Sequence, residues 1–318
     1  MLHTFRVLIH LRKCHIDFKN NVHGSYISIN QILKEYRIDG IKARLYTKHS
    51  AFRCSIFIDA KALLRKDFLV EADSNKLKEL LSRVLEIAFG DRKLYEEHNL
   101  TRLDYSFDIK VPCESERKLL LETLKKHQKN YRRLRQDCTY QTTIYYKSKS
   151  VKVVIYDKNS ERKAKNEDPF NWEIDVLRVE VQLMNTHLYN RCKRNKISKI
   201  IESFLNKDLF LEYLNTYLFK LINEGDYHTL NSAKQLVSSL KLKANKTNKL
   251  IKMLTDCSTN GIHYIKEGMD PKTFKDRISS LDYTNLNLVT LPDDCTYQNL
   301  KGIYNRFMED IYPLLFKE

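Results

Sequence analysis

The clearest chemistry in this chain lies in the run Thr143-Ile-Tyr-Tyr-Lys-Ser-Lys-Ser-Val-Lys-Val-Val-Ile-Tyr156-Asp-Lys-Asn-Ser-Glu161-Arg-Lys. It reads as two strands, the second ending in Tyr156. Glu161 follows within about one helical turn, among many cations. A phenol, a carboxylate and clustered positive charge are what is needed to attack a phosphodiester and hold its ends. A phenol with a pKa of about 10 is protonated at neutral pH, and a nearby metal or cation favours its nucleophilic phenolate. The phosphotyrosine so formed preserves the bond energy, so a later 3′-hydroxyl can reverse the step.

Two further fragments carry polar residues at strand spacing. In Thr101-Arg-Leu-Asp104-Tyr-Ser-Phe-Asp108, the residues Asp104, Ser106 and Asp108 project together, while Leu103, Tyr105, Phe107 and Ile109 point the other way. In Leu177-Arg178-Val-Glu180-Val-Gln182-Leu, the residues Arg178, Glu180 and Gln182 share a face. If these strands neighbour the one that ends at Tyr156, one sheet face gathers carboxylates, an arginine and a tyrosine. Carboxylates could hold a hard divalent cation that polarises the phosphate. Lys158 or Arg178 could add charge as the phosphorane-like transition state forms.

Four fragments in this order resemble the replication initiators of small rolling-circle plasmids of Gram-positive bacteria. More loosely, they are similar to the initiator endonucleases of filamentous phages. The plasmid pattern is T-R-L-D-x-x-x-D, T-I-x-Y, I-Y-x-K-x-x-E-R-K and R-V-E. It appears here as Thr101 to Asp108, Thr143 to Tyr146, Ile155 to Lys163 and Arg178 to Glu180. The resemblance covers roughly residues 100–185. It implies that Tyr156 is the DNA-linked nucleophile, that Asp104, Glu161 and Glu180 hold Mg²⁺ or Mn²⁺, and that the partners are an origin hairpin or single-stranded nick site, a host helicase and polymerase, and a second copy of the chain. The wider superfamily usually holds its metal with a His-x-His pair, which is absent here. The ten histidines are scattered, with His10 in the first strand and His49 in a loop. Tyr145 and Tyr146 are the alternative nucleophiles.

The elements that must position these groups follow from periodicity. Residues 2–11 alternate as a first strand, and 26–29, 41–46 and 52–58 read as short strands. Residues 76–89 have helical spacing, with Ser74 or Asp73 as N-cap. Strand 101–111 leads into a helix over 115–134 with a strongly basic face. Residues 142–146 and 149–156 form a hairpin around Lys147 and Ser148, and 177–183 is a further strand. The expectation is an α+β fold: a largely antiparallel sheet with helices against one face. From about residue 198 the spacing becomes helical, through 230–242, 250–254 and 300–315, with an end near Pro313. The expected division is a core over 1–195 and a helical region over 196–318.

The 318 residues carry 42% hydrophobic side chains, enough for a real core, and a formal net charge of +16. That excess favours a polyanionic partner. Lys118, Lys125, Lys129, Tyr131, Arg132 and Arg133 read as a phosphate-binding helix in which Tyr131 could stack on a base. Lys193 and Arg194 could extend the track. No long apolar run spans a membrane, and the N-terminus lacks a signal-peptide layout, so the cytoplasm is the expected location. Seven scattered cysteines without a C-x-x-C speak for reduced thiols.

Blander readings exist for each residue. Tyr156 could be an amphipathic plug at a strand end. Arg178 and Glu180 could form a surface ion pair worth under about 1 kcal/mol. Glu161 could merely pair or cap at a helix start after Asp157 or Asn159. Two rival functions remain. One is a DNA-binding regulator without chemistry, for which Tyr156→Phe is silent. The other is a metal-dependent nuclease that uses water, for which Tyr156→Phe is tolerated and Asp104→Ala or Glu180→Ala is not.

Overall fold

Strand β4 (Asn99–Lys110) organises the molecule, because its two faces differ so sharply in chemistry. A computed structural model describes residues 1–48, 51–281 and 284–316; His49, expected in a loop, lies outside them. Strands β1 (Leu2–Leu11), β2 (Ile41–Lys48), β3 (Ala51–Asp59), β5 (Asn130–Tyr131), β6 (Leu134–Asp137), β7 (Thr143–Lys147), β8 (Val151–Asp157) and β9 (Val176–Met184) join it in one sheet. The order is β2-β3-β1-β4-β9-β8-β7-β6-β5. Every pairing is antiparallel. The α+β architecture expected from the sequence is therefore present.

One face of this sheet is apolar and covered. Phe5, Val7, Leu103, Tyr105, Phe107, Val153, Ile155, Val179 and Val181 are buried on it. Helix α4 (Ser74–Phe89) closes the β1 side with Leu77, Leu81, Val84 and Leu85, and α5 (Glu114–Lys125) closes the β7–β8 side with Leu120 and Leu124. The helical C-terminal region packs on the same face. Phe307 meets Phe107 at 4.9 Å between ring centroids, Phe210 meets Tyr105 at 5.7 Å, and the Tyr105 hydroxyl donates to the Phe204 carbonyl at 2.6 Å. Each buried aromatic of this kind contributes roughly 1.5–3 kcal/mol.

The opposite face carries Arg6, Lys42 and Arg44, all exposed, with Phe57, Arg102, Tyr145 and Lys152 partly exposed between them. Residues i and i+2 point the same way along a strand. The register aligns Arg6 with Phe57 and Arg102, and Phe57 with Lys42, so these residues share the open face.

Several expected elements differ. Residues 26–29 are not a strand. Helix α1 (Lys13–His23) precedes them, and α2 (Ile29–Glu35) starts there because Ser28 and Gln31 form a reciprocal capping box. The helix expected over 115–134 ends at Lys125. His127 and Gln128 turn inward instead, His127 towards the Tyr227 hydroxyl and Gln128 onto the Lys220 carbonyl. Arg132 and Arg133 then form the turn of the β5–β6 hairpin, with Arg132 at φ +53°. In the C-terminal region, Asn299–Leu300 pairs with Tyr227–His228 as a small ladder. Pro313 lies inside a tight final turn, Tyr312–Phe316, rather than ending the helix.

Candidate active site

Strand β8 ends where it does because Asp157 changes the direction of the chain. Its carboxylate accepts the Ser160 N–H at 3.2 Å, which makes it the N-cap of α6 (Lys158–Lys165). The other oxygen accepts from Arg117 Nε at 3.0 Å, a fully buried pair that ties the strand end to α5. Tyr156 is thereby held near the end of β8 on the open face of the sheet.

The register places Tyr156 beside Arg178 and Asp108 beside Arg178. Tyr156 Oη donates to Glu180 Oε1 at 2.9 Å. Glu180 also receives His3 Nδ1 at 3.0 Å and Gln182 Nε2 at 2.8 Å. His3 arrives through a bulge: the β1–β4 register shifts between Leu2 and Thr4, so His3 meets Glu180 while Thr4 donates to Asp104. Arg178 Nη1 lies 2.9 Å from His3 Nε2. A guanidinium only donates, so this contact fixes the tautomer: Nε2 accepts from Arg178 and Nδ1–H donates to Glu180.

Arg178 lies on the face that alternation gives it, opposite Tyr156, but it is enclosed. It is fully buried, does not line the cavity described below, and does not pair with Glu180 as a surface ion pair. Its guanidinium grips Asp108 with two bonds, at 2.6 and 2.8 Å, and Lys61, on α3 (Ala60–Leu64), adds a third at 2.7 Å. Asp108 consequently lies far below the usual carboxylate range: burial alone would raise it, but Lys61 and Arg178 outweigh that. The pair forms the floor beneath the site.

Lys158 is buried, with Nζ 2.8 Å from Glu161 and 3.3 Å from Glu173, and 5.9 Å from the centre of the Tyr156 ring. Glu161 is further paired with Lys165. Arg102 holds Asp104 with two bonds, at 2.8 and 2.7 Å. These groups line one open cavity of about 740 Å³, which includes His3, Arg102, Asp104, Tyr145, Tyr156 and Glu180.

Burial keeps the Tyr156 phenol protonated, raising it well above its ordinary value, and the Glu180 charge adds to this. Burial pushes Glu180 up too, but His3, Arg178 and Gln182 together hold it below the usual range. Asp104 is shifted up by burial despite Arg102, with the Glu180 charge contributing. Of the two carboxylates, Asp104 is the readier to hold a proton.

The donor types suit a hard divalent cation. Asp104 and Glu180 are buried on adjacent strands. Ser106, the register partner of Glu180, keeps a buried hydroxyl without a hydrogen-bond partner. Glu161 is held apart by its two lysines. Among the described residues no three His, Cys, Asp or Glu side chains converge on one point. Two of the three expected ligands are thus brought together, with His3 beside them.

The expected nucleic-acid residues lie elsewhere. Lys118, on α5 against the covered face, pairs with Glu114, and Lys125 donates to the Gln141 carbonyl. Tyr131 donates to the Thr216 carbonyl, and Arg132 sits over the Tyr131 and Tyr217 rings. Lys129, Arg133, Lys193 and Arg194 are exposed, the last two on α7 (Asn185–Asn195), which packs on β4 and β9. Sequence reasoning missed His3, Thr4, Arg102 and the open-face cations Arg6, Lys42 and Arg44. For Thr4, Arg102 and the open-face cations the signal is the alternation in β1, β2 and β4, at the polar positions that lie between the apolar ones. His3 has no such signal, because alternation puts it in phase with Phe5 and Val7 and only the bulge turns it to Glu180.

The family of phage replication-associated proteins, described by its N-terminal region, matches residues 25–199, more than half of the chain. The chain belongs to this family. The match takes in the four fragments and extends some seventy-five residues further towards the N-terminus than the sequence resemblance did. It spans α2 to α7, so it includes Tyr156, Glu180, Asp104 and Lys158 but not His3 or Thr4. A comparison with curated proteins found no match. No described helix is long and apolar enough to cross a membrane.

Proposed function

We propose that this member of the phage replication-associated family nicks one DNA strand at a replication origin and stays joined to the new 5′ end through Tyr156. The supporting observation is the hydrogen bond from Tyr156 to Glu180 at the wall of an open cavity, next to a belt of exposed cations. Tyr156 Oη attacks the scissile phosphorus. The phosphorus–O3′ bond breaks, a 5′-phosphotyrosine forms, and the departing 3′ oxygen takes a proton from water. The phenolic proton passes to Glu180 and on to solvent. Attack by a later 3′-hydroxyl on the phosphotyrosine rejoins DNA and releases the tyrosine. The freed 3′-hydroxyl is the natural primer for a host polymerase in rolling-circle replication.

Asp104 and Glu180, with His3 and Ser106 beside them, are the residues that would hold Mg²⁺ or Mn²⁺, which supplies positive charge to favour the phenolate and polarise the phosphate. Glu180 orients the phenol. As a bare carboxylate it also disfavours the phenolate, so nicking depends on countercharge at this point. Lys158 lies 5.9 Å from the ring centre and lines the same cavity, where it is placed to take up phosphate charge. Arg178 acts as a positioning residue through His3 and Asp108. The DNA backbone follows Arg102, Lys42, Arg6 and Arg44 across the open face.

The test is a gel assay with supercoiled DNA of the replicon that encodes the chain, with Mn²⁺, Mg²⁺ or EDTA. Metal-dependent nicking with a protease-sensitive adduct, lost in Tyr156→Phe, is the expected result. Nicking that survives Tyr156→Phe but not Glu180→Ala would make this a nuclease using water. Tight binding without nicking would make it a regulator.

A further inference from the structure

The segment between α6 and β9 carries the single tryptophan of the chain and an aromatic pair that the catalytic scheme does not use. The Phe170 and Trp172 rings stack with centroids 4.7 Å apart and planes within 10°. Phe170 is 40% exposed and lines the same cavity as Tyr156.

The pair is bolted to the site. Glu173 is buried and gathers Arg162 at 2.7 Å, Lys158 at 3.3 Å and Arg178 at 3.4 Å. It also accepts the Phe170 backbone N–H at 3.2 Å. One carboxylate thus links the aromatic pair to Lys158 beside Tyr156 and to the buried Arg178 beneath the site. Arg162 also lies 5.3 Å from the Phe170 ring centre.

The charges around the ring decide what it can hold. Its acidic neighbours Glu167 and Asp168 are exposed and line the cavity too, and they repel phosphate. Arg162 is already neutralised by Glu173 and Glu167. A flat apolar ring flanked by acids suits an uncharged base rather than a sugar-phosphate backbone.

Resting on the nicking proposal above, we infer that Phe170, backed by Trp172, is a stacking platform that takes an unpaired base next to the scissile phosphate in the place over its ring that Arg162 now holds. Such a base is exposed only in single-stranded DNA, so the platform selects a melted or looped nick site over duplex. Stacking reads no particular base edge, so the contact tolerates any sequence.

The experiment uses the full chain, a fluorescently labelled oligo-dT, an oligomer of the same length with abasic sites, and a duplex. Anisotropy gives affinity, and Trp172 fluorescence reports contact at the platform. Oligo-dT is expected to quench Trp172, and the abasic oligomer is not. Phe170→Ala should weaken oligo-dT binding about five- to a hundredfold, the usual range for one lost base stack. Phe170→Tyr should bind like wild type, and Phe170→Leu, which keeps apolar bulk without a ring, should behave like alanine. The abasic oligomer should bind all four proteins alike. Equal oligo-dT affinity in wild type and Phe170→Leu would overturn the platform while leaving the nicking proposal untouched. A protein that shows the Phe170 effect but never nicks would overturn the nicking proposal alone.

Discussion

Tyr156 and Glu180 come from neighbouring strands and meet through a 2.9 Å hydrogen bond, with the phenol donating. Their register is diagonal: Tyr156 lies directly opposite Arg178, and Glu180 opposite Val154. Pairing between β8 and β9 therefore sets the direction of the hydroxyl. Glu180→Gln keeps the shape but removes the charge. Single-turnover cleavage of a labelled origin oligomer should slow by at least about a hundredfold, the lower range for losing a positioned proton acceptor. An unchanged rate would remove Glu180 from the chemistry.

The buried Arg178–Asp108–Lys61 cluster makes a prediction about stability. Breaking a buried pair by removing one partner costs about 3–5 kcal/mol, so Arg178→Met should lose that much in urea unfolding. Asp108 is depressed in the folded chain, so its contribution is present above the unfolded carboxylate value of about 3.9. It is lost as the pH falls from there towards the folded value. Asp108→Asn should therefore be less stable at neutral pH and lose less on acidification. Parallel acid-loss curves for wild type and Asp108→Asn would contradict this.

The two alternative tyrosines are separated by the pleat of β7. Tyr146 is buried on the covered face and receives a hydrogen bond from Gln136 at 2.9 Å. Tyr145 lines the cavity, with Lys147 Nζ 4.2 Å from its ring centre. Tyr146→Phe should keep full nicking activity and lose about 1 kcal/mol of stability. Tyr145→Phe should form the Tyr156 adduct normally. Loss of the adduct in either variant would move the nucleophile.

The open face can be tested by salt. Arg6, Lys42 and Arg44 form no ion pair among the described residues, and Arg6 lies over Phe57 at 5.8 Å. Replacing all three with alanine should weaken single-strand binding. It should also reduce the slope of log affinity against log salt by about two, at roughly 0.7 for each phosphate no longer neutralised. Unchanged slopes would place the backbone elsewhere.

Much of the site was legible because strand alternation is a strict code. Asp104, Ser106 and Asp108 share a face, as do Arg178, Glu180 and Gln182, and β4, β9 and β8 are consecutive in the sheet. Pairing across long sequence distance was not legible. His3 reaches Glu180 from 177 residues away through a bulge, and nothing local in β1 announces it. The enclosure of Arg178 was not legible for a related reason: alternation tells which face a side chain takes, not whether Asp108 and Lys61 will enclose it. The basic helix failed because charge periodicity continues past Lys125, while His127 and Gln128 find partners in the C-terminal region.

The most direct test of the central claim is to map the covalent adduct. The protein would be reacted with a nick-site oligomer and Mn²⁺, then digested with nuclease and trypsin and sequenced by mass spectrometry. Trypsin separates the candidates: Tyr156 falls in peptide 153–158, and Tyr145 and Tyr146 fall in 136–147. A 5′-nucleotide on Tyr156 within 153–158 is the predicted result. A nucleotide on 136–147, or cleavage without any linked peptide, would contradict the account.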